Sequence, residues 1–224
     1  MAGTLAEFVR NMKKPTFVLM CGSSRKGSHN AKLLESVRSR LAAEDAACEV
    51  VDLDALQLPI YSQDLETASM PRAAVELKEK LVAATGFVIA CPEYNGMPTP
   101  LLLNAITWAT RGEGGMYAGF QNKCASVVAT SPGPMGGLRM VRTMHTMLQD
   151  MGAVVITPAV ALGGAGKIFD DSGALVDARS AGKVDALCGQ LMHFARFQAN
   201  RDKDDCIVRL INEQKVMGEY GSTE

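Results

Sequence analysis

The chain is 224 residues long, 47% hydrophobic and 21% charged, which suits one globular domain with a substantial core and leaves too little for a second full one. Its 23 Lys and Arg nearly balance 24 Asp and Glu, for a net charge of -1. So neutral a chain gives nucleic acid no electrostatic footing, and small molecules are the expected partners. No apolar run nears the roughly 20 residues of a membrane span, and residues 1–14 lack the apolar stretch of a secretory signal, so the expected location is the cytoplasm, away from membranes.

Residues 1–14 read as an N-terminal arm. The first apolar run, Thr16–Cys21, is followed by the Gly/Ser-rich turn CGSSRKGSHN at 21–30, then by Leu33, Val37 and Leu41 on one helical face. A second run, Glu49–Leu53, precedes a helix marked by Ala74, Leu77 and Leu81. The third, Gly86–Cys91, opens onto Pro92–Pro98 and a helix candidate at Pro98–Ala109, whose prolines an N-terminal turn tolerates. The fourth, Cys124–Thr130, leads through Ser131–Gly137 to a helix carrying Val141, Met144, Leu148 and Met151. The fifth, Ala153–Leu162, is interrupted by Pro158 and precedes a last helix with Val184, Leu187, Leu191 and Phe194 on one face. Beyond Ala199 the chain turns polar, and residues 200–224 read as a C-terminal arm.

Most of the apolar runs lack alternation and favour Val, Ile and Leu, as strands covered on both faces do. Strand and helix alternating five times predict an α/β fold. The specific expectation is a flavodoxin-like, doubly wound five-stranded parallel sheet of order 2-1-3-4-5, with helices on both faces. In that order ligands gather beyond the carboxyl ends of strands one, three and four, where three Gly/Pro-rich loops fall.

The first loop offers Ser23, Ser24, Arg25, Ser28 and Asn30 around two glycines. Hydroxyls, backbone amides, a helix start and one guanidinium can surround a phosphate without metal. Gly22 to Gly27 has the G-x-x-x-x-G frame of a nucleoside triphosphate loop, but Ser28 stands where that motif needs lysine, which favours a monophosphate. Ser28 or Asn30 is equally suited to capping the helix. The glycine spacing is wrong for a dinucleotide fingerprint, although Asp52 and Asp54 supply its acidic part. Cys21 and Arg25 stand too close together for a tyrosine phosphatase loop.

The second loop, Pro92-Glu93-Tyr94-Asn95-Gly96-Met97-Pro98, has a backbone fixed by two prolines and a glycine, suited to holding amides and carbonyls towards a planar heterocycle. Tyr94 adds an aromatic face or a hydroxyl. Glu93 reads as a general base or, more simply, as a carboxylate that pairs with a neighbour or favours the next helix start. The third loop, Ser131-Pro132-Gly133-Pro134-Met135-Gly136-Gly137, is ordinary turn material taken alone. Beside the other two, its glycines would let backbone approach a ring, and the helix start behind it would face negative charge there. The six cysteines form no C-x-x-C pair and read as small buried hydrophobes. His29, His145 and His193 lack a paired carboxylate, and Trp108 reads as packing or a subunit contact. No catalytic side chain and no metal site is nominated.

Together these motifs resemble the NADPH-dependent FMN reductase family, the flavodoxin-like group that includes quinone and chromate reductases. The resemblance rests on Gly22-Ser23-Ser24-Arg25-Lys26-Gly27-Ser28 with Asn30, and on Leu58-Pro59-Ile60-Tyr61 followed by Gln63-Asp64-Leu65-Glu66. It rests equally on Pro92-Glu93-Tyr94-Asn95-Gly96 with Asn104-Ala105-Ile106 and Trp108, and on Ser131 to Gly137. It implies that Ser23, Arg25, Ser28 and Asn30 hold an FMN phosphate, and that Pro92, Glu93, Tyr94, Asn95 and Gly96 border the isoalloxazine. Ser131, Gly133, Gly136 and Gly137 would flank its other side, making 15–199 a flavodoxin-like FMN-binding domain.

The implied activity is that of an NAD(P)H-dependent oxidoreductase. Hydride passes from NADPH or NADH to FMN, then by ping-pong transfer to a small acceptor such as a quinone, free flavin, azo compound or metal oxyanion. Family members commonly form dimers or tetramers, so a homodimer or homotetramer is implied, with partner residues completing the pocket. Met97, Thr99 and the C-terminal arm depart from the family pattern and bear on access to the ring. The alternatives are a flavodoxin-type single-electron carrier, disfavoured by the near-neutral charge, and an FMN-binding sensor.

Overall fold

The structure is a computed structural model that describes residues 13–200. The two terminal arms, apart from residues 13, 14 and 200, lie outside the described residues. Five parallel positions make the sheet: β1 (Thr16–Cys21), β2 (Ala47–Val51), β3 (Gly86–Ala90), β4 (Cys124–Thr130), and a fifth shared by β5 (Val154–Val155) and β6 (Val160–Leu162). The order is β2-β1-β3-β4-β5, with β6 also pairing β4 in parallel, as the alternation of runs predicts.

Alternation within β1 divides the core. Phe17 and Leu19 pack on one face with α1 (His29–Ala43) and α7 (Ala178–Ala199), whose Leu33, Val37, Leu187 and Leu191 meet them there. Val18 and Met20 pack on the other, with α3 (Arg72–Ala83), α4 (Pro100–Ala109) and α5 (Leu138–Asp150). The short α2 (Gln63–Ala68) and α6 (Ala165–Ile168) complete the described helices. Every residue of β3 and β4 is buried, which is why those runs show no polar alternation. Each fully buried large apolar side chain contributes on the order of 1.5–3 kcal/mol.

Several details differ from the sequence expectation, among them the start of α4 at Pro100 instead of Pro98. The second strand begins at Ala47, whose N–H bonds Pro15 O at 3.0 Å, and ends at Val51. It stops there because the Asp52 carboxylate accepts from the amides of Asp54 at 3.0 Å and Ala55 at 3.2 Å, turning the chain. The fifth strand is split around a cis Thr157–Pro158 bond. In α7 the buried stripe continues from Leu191 to Ala195, and Phe194 is 43% exposed; a four-residue step, not three, keeps it on the sheet. Trp108 is packing: fully buried, it donates Nε1–H to Pro59 O at 2.7 Å and meets Tyr61 edge-on.

Ser126 lies in the middle of β4, opposite Val88, completely buried and with its hydroxyl unpartnered among the described residues. An unpaired buried hydroxyl costs free energy that a methyl does not. Ser126→Ala should therefore keep or raise the urea unfolding free energy, and a loss above about 1 kcal/mol would show that the hydroxyl has a partner after all.

Candidate functional site

At the carboxyl edge of the sheet the first loop leaves β1 through Gly22, whose N–H bonds Ala90 O at 2.8 Å. Only glycine fits, since a Cβ there would stand 2.6 Å from Cys91 Sγ. The amides of Ser23, Ser24, Arg25, Lys26 and Gly27 find no acceptor among the described residues. Ser28 N–H bonds Arg25 O at 3.1 Å, and its hydroxyl accepts from Ala31 N–H at 3.4 Å, capping the 15-residue α1. Five amides without acceptors just before a long helix, in a loop whose exposed Arg25 donates only to Gly27 O at 3.5 Å among the described residues, suit an anion. The loop that caps α1 thus also leaves these amides open.

Asn30 departs from the expected role. It is 4% exposed, and its carboxamide accepts from Thr130 N–H at 3.0 Å and donates to Thr130 O at 3.1 Å. The side chain is committed to the end of β4, so it positions the first loop against the third instead of presenting itself to a ligand.

In the second loop Tyr94 and Met97 exchange backbone hydrogen bonds of 3.0 and 2.9 Å across Asn95 and Gly96, whose φ values are 54° and 81°. Two left-handed central residues make a type I′ turn, which Asn-Gly supplies at least cost. The amides of Glu93, Asn95 and Gly96 are left without acceptors among the described residues. Tyr94 and Met97 are both largely exposed on the rim, as is Met135 of the third loop.

The Glu93 carboxylate accepts from the amides of Arg139 at 3.1 Å and Met140 at 3.3 Å, and pairs with the Arg139 guanidinium through Nε at 2.7 Å. The simpler reading of Glu93 therefore holds. Burial opposes its charge, but Arg139 and the two amides prevail and hold its pKa below the ordinary carboxylate value. Two first-turn amides of α5 thus serve Glu93.

The glycines of the third loop divide likewise. A Cβ on Gly136 would meet the Leu162 backbone at 2.5 Å, and one on Gly137 would meet Ala129 Cβ at 2.8 Å, so both are required by packing. Gly133 alone of the three has open space, with only Ser131 Oγ near, at 3.8 Å. Ser131 Oγ donates to Gly133 O at 3.3 Å and shapes the turn.

Thr99, noted in the sequence only as a departure, closes the arrangement. Its hydroxyl donates to Gly22 O at 2.7 Å and accepts from Leu102 N–H at 3.3 Å, joining the first loop to the second while capping α4. Its place just before Pro100 is the sequence signal of an N-cap. The thiols nearby stay protonated: burial raises Cys21 and pushes Cys91 to about 11. Burial, then Arg25 and Lys32, lowers the pKa of His29, and burial lowers His145. Among the described residues no His, Cys, Asp or Glu group could hold a metal.

Residues 15–167 match the NADPH-dependent FMN reductase family. A quinone reductase of Pseudomonas putida is 32% identical over 161 residues, 71% of this chain and 83% of its own. An NAD(P)H-dependent FMN reductase of Pseudomonas aeruginosa is 29% identical over 157 residues, covering 70% of this chain and 82% of its own. The solved structure of FerB, a flavoenzyme NAD(P)H:(acceptor) oxidoreductase from Paracoccus denitrificans, superposes with a TM-score of 0.68 at 28% identity, over 79% of this chain and 97% of that one.

Two outcomes follow from these contacts. Asn30→Ala strands both backbone groups of Thr130 and should cost about 2–4 kcal/mol by urea denaturation; a cost under 1 kcal/mol would show that the tie is dispensable. The lowered pKa of Glu93 makes its contribution to stability fully present above the unfolded-state carboxylate value, and lost as pH falls through the folded one. Wild-type stability should thus drop more steeply than that of Glu93→Gln below about pH 4.5; parallel pH profiles would contradict the assignment.

Proposed function

The chain belongs to the NADPH-dependent FMN reductase family, and we propose that it binds FMN across the three loops and works as an NAD(P)H-dependent oxidoreductase on a small acceptor. The observation that carries this is the cradle of free amides from Ser23 to Gly27 at the start of α1, beside Arg25 and locked to the other two loops. The residues fit the group: one phosphate, no metal, and a floor of fixed backbone donors. When bound, FMN would supply the redox chemistry, taking hydride from NAD(P)H and passing electrons on.

The protein's own part is positioning and electrostatics. Arg25 supplies the charge for the phosphate, while the loop amides and Ser23 supply geometry. The free amides of Glu93, Asn95 and Gly96 would meet the polar edge of the isoalloxazine, held by a type I′ turn between Pro92 and Pro98. Such fixed donors need no reorganisation when negative charge develops, and no side-chain acid or base is called upon.

We also place the protein in the cytoplasm as a homodimer or homotetramer. Among the described residues no helix is long and apolar enough to cross a membrane. A groove of about 690 Å³, with Met70, Val75, Val82 and Ala118 beside the charged Lys78, Glu79, Arg111 and Glu113, and with Val75 and Val82 exposed, supports a subunit contact of mixed character.

Anaerobic NADPH should bleach the flavin absorbance of the FMN-loaded protein, and a quinone should restore it with ping-pong kinetics. A protein that takes up no FMN would sink the reading. Arg25→Ala should weaken FMN binding about 10- to 100-fold, from the loss of a charge-assisted contact. Hydride transfer at saturating FMN should change by less than about threefold, well under 1 kcal/mol of barrier; the reverse pattern would move Arg25 into the chemistry.

A further inference from the structure

Glu93 sits in the segment nominated to border the isoalloxazine, yet its carboxylate turns towards α5. That helix starts at Gly137, which has no side chain to cap it, so the cap comes from the neighbouring loop. The contact is close: a Cβ on Gly137 would lie 3.8 Å from Glu93 Cβ. The Glu93 side chain is 10% exposed, whereas Arg139 is 69% exposed and pairs with it from the solvent side. Three charged elements therefore meet locally, a carboxylate, a guanidinium and the start of a 13-residue helix worth roughly half a positive charge, so the carboxylate offsets most of the positive charge of the other two.

We propose that Glu93 is a positioning residue that lowers the reduction potential of the bound flavin, by offsetting most of the positive charge of the α5 start and the Arg139 guanidinium beside the ring loop. The inference rests on the FMN reading above. A reduced isoalloxazine carries negative charge that the oxidised ring lacks, so an uncancelled positive group nearby favours the reduced form and raises the potential. With the carboxylate in place most of that help is offset. The reduced flavin stays a stronger donor, which a reductase of small acceptors needs.

The two partners predict shifts of opposite sign, which a purely structural role would not produce. In Glu93→Gln the amide oxygen still accepts from the α5 amides while the negative charge is gone. FMN in that variant should favour its reduced form about tenfold more than in wild type, a rise of about 30 mV for the two-electron couple. Arg139→Met leaves the carboxylate without its counter-charge and should lower the potential. Both are read by anaerobic dye-equilibrated redox titration of the FMN-loaded proteins, alongside the dissociation constant of oxidised FMN. Unchanged potentials, or shifts of the same sign, would overturn the proposal. A wild-type protein without FMN uptake would instead overturn the reading beneath it, so the two failures are distinguishable. Should Glu93→Gln fail to fold, Arg139→Met, a change at a largely exposed side chain, decides the sign alone.

Discussion

The Asn30 carboxamide, buried where β4 ends, answers a problem that every parallel sheet meets at its carboxyl edge. As a chain leaves its last ladder position, its N–H and C=O still need partners, and water is excluded there. Thr130 presents both groups, and Asn30, in the first turn of α1, offers a matched acceptor and donor. That single side chain fixes where α1 starts relative to the third loop, and hence where the phosphate cradle sits. Thr99 does the same between the first and second loops through Gly22 O, and Glu93 between the second loop and α5. The three loops are thus tied pairwise, in a closed triangle.

A closed set of ties has a consequence for binding. Loops that carry unpaired amides would ordinarily relax to satisfy them, by turning inwards or recruiting side chains. Here the amides of Ser23 to Gly27 and of Glu93, Asn95 and Gly96 stay open because the segments bearing them are anchored at other atoms. The cost of orienting donors is met on folding, and a ligand finds them arranged. The charge is divided unequally around the edge. Among the described residues, the first loop has an exposed Arg25, which donates only to Gly27 O at 3.5 Å, and five open amides, while two amides of the α5 start are engaged by Glu93. Under the proposed function, a phosphate would be drawn to one side and a ring to the other by different means.

Much of this was legible in the sequence because it follows from local rules. The strand order came from alternation of apolar runs and helical stripes, and the cradle from glycine, serine and arginine at a strand-to-helix turn. The turn at Asn95-Gly96 is likewise local chemistry. What sequence could not supply was direction. Nothing local says that Asn30 points to a residue one hundred positions away, or that Glu93 caps a helix 46 positions later. Gly136 and Gly137 look like loop flexibility and prove to be packing against Leu162 and Ala129. Phe194 shows a further limit, since three- and four-residue steps on a helix are equally apolar in the sequence and only the sheet's position chooses between them.

The rim above this floor has a different character. Tyr94, Met97 and Met135 are each about half exposed, and two of the three have no strong hydrogen-bonding group. Fixed polar donors below and soft apolar side chains above divide the labour. The floor can recognise a permanently bound group through several directional contacts, whereas the rim offers a visitor mainly area and polarizability. Under the proposed function, visitors are then sorted by flatness and size more than by hydrogen-bond pattern, and a donor and an acceptor can take turns at one face. Met97 belongs to that rim, and Thr99, two residues on, belongs to the ties beneath it. These two of the departures from the family pattern would therefore act at different depths, one on access and the other on the placement of the floor.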